Sequence, residues 1–218
     1  MPNPNNRPLT LITLLTAIAA LAAITSPAFS QEAPADKAVL YVVRVDSTPL
    51  LDTARVYANE DVLRPYLYGK QYARHELRPG TYTFMAGGTG LGLHPKNGWL
   101  HGDLEAGKTY GLVIGLNNKV PYGGGGWRIM PLDESFKNYD RAMELVSGKP
   151  PKELDEKKQE KAEKQYQKMR ASDEKRRSKG KPTWYESMLD FIERREAKNP
   201  DFRRTLKPMT EIPLPPGQ

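Results

Sequence analysis

Three histidines, His75, His94 and His101, are all the imidazole the 218-residue chain carries, and they bound its metal and proton-transfer chemistry. His94 and His101 flank one predicted loop, with Asp103 close behind. Their spacing matches no ligand pair of the kind that zinc sites use, so no metal ligand is assigned. A hydroxyl nucleophile needs a base held beside it. Ser47, Ser135, Ser147, Ser172, Ser178 and Ser187 all fall in predicted turns or helices, outside any G-x-S-x-G context. Glu76, Asp103 and Glu105 supply carboxylates for glycoside chemistry, but nothing in their pattern pairs them. The run "GGTGLGLHPKNG", Gly87 to Gly98, lacks the helix that a phosphate cradle must open and reads as a surface loop. No catalytic residue and no cofactor follow from this inventory.

The aromatic residues offer a binding chemistry instead. Trp99, Trp127 and Tyr122 lie in or beside glycine-rich segments, with Tyr66, Tyr68 and Tyr72 not far off. Exposed rings of this kind stack on sugars, whereas buried ones pack cores. Trp99, Trp127 and Tyr122 are therefore the candidates for a glycan-stacking face, with sheet packing as the plainer reading.

The elements that must position these groups are mostly strands. Residues 38–132 break into short β-branched and aromatic runs separated by Gly, Pro and Asn, at the spacing expected of a sandwich or open barrel. Seven or so antiparallel strands are predicted: "AVLYVVRV", two within "ARVYANEDVLRPYLYG", then "YARHEL", "TYTFMAG", "TYGLVIGL" and "WRIMPL". In the second of these, Arg55 and Tyr57 face one way, Val56 and Ala58 the other. Two phrases echo each other, "LRPGTYTF" (Leu77 to Phe84) and "LEAGKTYGLVI" (Leu104 to Ile114), and both read as turns that launch a strand.

After residue 132 the pattern becomes helical, making the whole α+β. A helix over 133–148 is predicted from Ser135 as cap and Phe136, Tyr139, Met143 and Val146 at helical intervals. Residues 149–181 form a charged, basic helix or linker. Residues 182–199 form an amphipathic helix opened by a Thr183/Glu186 capping box. The Pro-rich tail 200–218 reads as extended or disordered.

Residues 1–30 read as an export signal. Arg7 precedes an apolar run from Leu9 to Ile24, Pro27 ends it, and Ala28 and Ser30 place a cleavage site between Ser30 and Gln31. That run is shorter than the roughly 20 residues of a spanning helix, although an uncleaved anchor is the alternative. Residues 31–37 are then a short linker, and no later run is long enough to span a membrane. The expected location is periplasmic or secreted. The chain has no cysteine, which excludes disulfides, thiol chemistry and a lipoprotein anchor. Its net charge is +7, and Ser147 to Lys181 alone carry thirteen Lys or Arg against seven Asp or Glu. The basicity thus belongs to one segment and describes that segment's neighbours.

"KAVLYVVRVD", "YGKQYARHELRPGTYTF" and "DLEAGKTYGLVI" together resemble an uncharacterised bacterial envelope domain of the domain-of-unknown-function 2846 type, itself similar to PEGA-like β-sandwich modules. The resemblance covers about residues 37–116. It rests on Tyr41-x-x-Arg44, on the turn from Leu77 to Tyr82, and on the strand entry from Leu104 to Tyr110. It implies an envelope role and carries over no catalytic residue. Members are often lipoproteins, a pattern from which this cysteine-free chain departs.

The expected function is a non-catalytic envelope module, structural or interacting, with a basic helical extension. Its partner would be an envelope protein or an anionic envelope surface. Export argues against nucleic acid. A carbohydrate or peptidoglycan binder is the first alternative, and an enzyme of unrecognised type the second. Deleting residues 149–218 is expected to leave the strand region folded.

Overall fold

The computed structural model describes residues 33–46, 53–88, 98–116, 127–148, 151 and 155–210. Ala38–Arg44 (β1) shows why a continuous apolar run becomes a central strand. All seven of its residues are buried. Ala38, Leu40 and Val42 point into a cluster between two sheets, while Val39, Tyr41 and Val43 point into a second cluster on the opposite face. A strand covered on both faces has no polar side to show, so its sequence does not alternate.

Eight strands follow one another among the described residues: β1, Thr53–Ala58 (β2), Asp61–Tyr68 (β3), Gln71–Leu77 (β4), Gly80–Gly88 (β5), Trp99–Leu104 (β6), Thr109–Leu116 (β7) and Trp127–Pro131 (β8). They build two four-stranded sheets, ordered β4-β1-β7-β8 and β3-β2-β5-β6. Both sheets contribute to one hydrophobic cluster: Leu40, Val42, Leu112, Ile114 and Ile129 from the first, Val56, Leu67, Phe84 and Leu100 from the second. Val56 and Ala58 face this cluster and Tyr57 faces away from it, as the alternation predicts.

Two expectations about the strands need correction. The strand missing from the predicted seven is β6, "WLHGDL". Its glycine answers to crowding, because a Cβ at Gly102 would meet Phe84 at 3.1 Å and Leu206 at 3.3 Å. The strands are also not all antiparallel, since β1 and β7 pair in parallel from Val39↔Thr109 to Val43↔Val113. Parallel neighbours need a long crossover, and here the chain between them builds all four strands of the second sheet and β4 of the first.

The echoed turns share a device. The Tyr82 hydroxyl donates to the Arg78 carbonyl at 2.9 Å. The Tyr110 hydroxyl donates to the Asp103 carbonyl at 3.2 Å and accepts from the Glu105 N–H at 3.0 Å. Each tyrosine therefore reaches back from its strand to fasten the turn that precedes it. Gly107 stands at φ +72° in the second turn, a left-handed conformation that glycine adopts without Cβ strain.

Three helices among the described residues complete the α+β architecture: Tyr139–Gly148 (α1), Glu156–Arg177 (α2) and Trp184–Lys198 (α3). The first starts later than predicted. Asp133, not Ser135, caps the preceding turn by accepting from the Ser135 N–H at 3.0 Å. α1 then buries Ala142 and Val146 against the outer face of the first sheet. α3 opens on the Thr183/Glu186 capping box and sets Met188 and Ile192 against Tyr57, Met85 and Trp99 on the outer face of the second sheet. Burial of such side chains contributes about 1.5–3 kcal/mol each.

The described part of the tail is docked, contrary to the expectation of a disordered segment. A 3₁₀ turn, Pro200–Phe202, leads into residues that pair with both sheets. Thr205 bridges His101 of β6, and Pro208 bridges Tyr110 of β7. The Arg204 guanidinium donates to the Trp99 carbonyl at 3.3 Å and the Ile129 carbonyl at 2.9 Å, joining β6 to β8. Leu206 then enters the cluster between the sheets. Removing residues 149–218 would open that core, so the expectation that the strand region survives the deletion does not fit this packing.

Candidate functional site

Trp99 and Trp127 are only 7% and 4% exposed, so neither indole presents a face to a sugar. The glycan-stacking assignment is corrected for both. Trp99 packs edge-on against Phe191 of α3, with ring centroids 6.1 Å apart. Trp127 lies beneath the guanidinium of Arg44, 4.7 Å from its ring centroid. Arg44 is itself fully buried and donates to the Leu67 carbonyl at 3.1 Å. The Tyr-x-x-Arg phrase of β1 thus places a cation inside the fold, where the indole and a backbone carbonyl hold it. Tyr72 is buried as well, and burial, reinforced by the neighbouring Tyr41, pushes its phenol up to about 12. Tyr122, His94, Ser30 and Gln31 lie outside the described residues.

The remaining histidines are not brought together. His75 stands in β4 of the first sheet and His101 in β6 of the second. Among the described residues no group of three or more His, Asp or Glu side chains is placed to hold an ion. His101 has a different company. Its Nε2 lies 2.8 Å from Glu196 Oε1, and the same oxygen accepts from the Trp99 indole N–H at 2.7 Å. Its Nδ1 lies 3.3 Å from the Thr83 hydroxyl. Burial works to raise the Glu196 carboxyl, but the hydrogen bonds from Trp99 and His101 and the charge of Arg203 outweigh it, so the group titrates below the ordinary glutamate range.

A hydroxyl, an imidazole and a carboxylate in series invite comparison with a nucleophilic triad. A nucleophile must meet its substrate, yet Thr83 is 7% exposed and sits within β5, paired with His101 of β6 on one side and bonded to Asn59 on the other. The carboxylate oxygen is also shared with Trp99. These contacts tie α3 to the second sheet, so the series reads as a clamp.

Beside the clamp, a shallow polar cleft of about 590 Å³ is lined by Asn59, Asp61, Thr81, Thr83, Arg170 and Tyr185, among others. Its polar groups serve one another. Tyr166 donates to Asp61 at 3.0 Å and receives Arg170 at 3.2 Å, and Tyr185 donates to Asn59 at 3.3 Å. Asn59 accepts in turn from the Thr83 N–H at 2.8 Å. The cleft is the seam along which the two helices are sewn to the β2–β3 hairpin.

The chemistry left unabsorbed is charge. Ala162 is the buried residue of the 22-residue α2. Lys157, Lys161, Lys164, Lys168, Lys175, Arg176 and Arg177 are exposed along it, and Lys179 and Lys181 continue beyond its end. Asp155 caps the helix by accepting from the Lys158 N–H, and Lys158 sits 5.0 Å from the Tyr68 ring centroid, which fastens the N-terminal end to β3. Sequence reasoning singled out this segment's charge but not Glu196, Arg204 or Leu206, the residues that fix the helices in place. Among the described residues, no helix is long and apolar enough to cross a membrane. No family model matches the chain, and no curated protein is found similar to it.

Proposed function

We propose that this chain is an exported, non-catalytic interaction module of the cell envelope, a β-sandwich that carries a basic helix on its outside. The observation that carries the reading is α2, whose narrow packed side buries Ala162 while its other side displays exposed charge. A helix so sparsely packed contributes little core, and its cations are available to a partner. The sandwich reading rests on the cluster shared by the two sheets. The export signal and the likeness to an envelope domain in the strand-entry phrases point the same way.

Fractionation of cells producing the tagged full chain tests the proposal. A product beginning at Gln31, recovered outside the cytoplasm and released from envelope material by salt, is the expected result. An unprocessed product that stays in the cytoplasm would overturn it.

A further inference from the structure

Lys157, Lys161, Lys164, Lys168 and Lys175 are separated by four, three, four and seven residues. At 3.6 residues per turn these steps return to one side of a helix, within about 60° of arc and over about 27 Å of its length. All five are exposed. The packed side of α2 lies elsewhere, on Ala162, Met169, Gln165 and Asp173. The glutamates Glu156, Glu160, Glu163 and Glu174 fall on a flank of their own by the same periodicity. Of the five lysines, Lys164 has a carboxylate partner at 2.6 Å, the exposed Glu160.

We propose that this lysine row seats the molecule on an anionic lipid headgroup surface. The inference rests on the envelope reading and names its partner. The row is straight and lies on a convex helix, which suits a plane better than a ligand that needs enclosing. The cations are all lysines. An ammonium is a compact, hydrated point charge on a flexible stem, without the planar fork by which arginine pairs with one fixed carboxylate. Such a row meets laterally mobile phosphates without demanding a register. No apolar side chain lies among the five, so the helix rests on the headgroups and does not enter the acyl layer. The attraction to an anionic leaflet falls off within a Debye length, so binding is confined to contact distance and yields to salt.

The test is sedimentation of the purified, processed chain with vesicles of phosphatidylcholine alone or mixed with phosphatidylglycerol. Binding is expected to the mixed vesicles only, and to be lost between about 0.1 M and about 1 M salt, as the screening length shrinks from ~10 to ~3 Å. The variant K157Q/K161Q/K168Q/K175Q should bind at least about ten-fold more weakly, with an unchanged thermal transition. The variant K70Q/K137Q/K198Q/K207Q removes the same charge elsewhere and should bind as the parent does. Equal loss in both variants would reduce the effect to net charge and overturn the row. Failure of the unmodified chain to bind, or binding that persists in high salt, would overturn the lipid partner. If a chain found in the envelope fraction ignores vesicles but is captured by an acidic envelope protein, the lipid inference fails while the envelope reading stands.

Discussion

The indole N–H of Trp99 donates to Glu196 at 2.7 Å, joining an edge strand to the last helix across 97 residues of chain. Glu196 also holds His101, so one carboxylate satisfies two ring nitrogens of β6. Replacing it by alanine leaves a buried indole N–H without its partner, a loss of about 2 kcal/mol. Glu196→Gln keeps an acceptor and should cost about half as much. Urea denaturation checks both values, and an alanine variant as stable as the parent would show that the clamp is not holding α3.

The same carboxylate gives stability a pH dependence. Its folded value lies below the unfolded one, so its contribution is complete above the ordinary glutamate value of about 4.3 and is lost as pH falls through the depressed folded value. Between neutral pH and about 5 this group should leave stability unchanged. Below that range the Glu196→Gln variant should lose less stability than the parent, a difference that thermal melts at successive pH values would measure.

Leu206 lies in the tail, yet it is 4% exposed within the cluster between the sheets. Leu206→Ala should therefore behave as a core truncation and cost about 2–5 kcal/mol. A chain ending at Arg203 should lose more, because the Arg204 contacts to Trp99 and Ile129 go with it. If either variant unfolded at the parent's denaturant midpoint, the docked tail would be refuted.

The paired tyrosines predict an ordered contrast. Tyr110 is fully buried and its hydroxyl serves two backbone groups, so Tyr110→Phe should cost about 1–3 kcal/mol. Tyr82 makes one exposed contact to Arg78, and Tyr82→Phe should cost less than about 1 kcal/mol. Equal costs would mean that the echo in sequence has no counterpart in how the two turns are fastened.

What the sequence reveals here follows its short-range signals. β1 and β7 are legible because β-branched runs report their own burial, and α3 because its capping box and apolar face are local. β6 is hidden by the glycine that close packing requires. The parallel pairing of β1 with β7 and the Trp99–Glu196 bond join distant residues, and no periodicity encodes such partners. Trp99 sits next to glycines and so reads as a surface ring, but the helix that covers it comes some 85 residues later. Leu206 is obscured by its polar, proline-rich surroundings.

Arg204 to Met209 supply contacts that hold the rims of the two sheets together. A polypeptide leaves the ribosome from its N-terminus, so the pieces that lock this structure are synthesised after all eight described strands. Every one of those strands exists before its fastening does. A nascent chain therefore waits with an unsealed interior, and a product that stops before Arg204 never acquires its closing stitch.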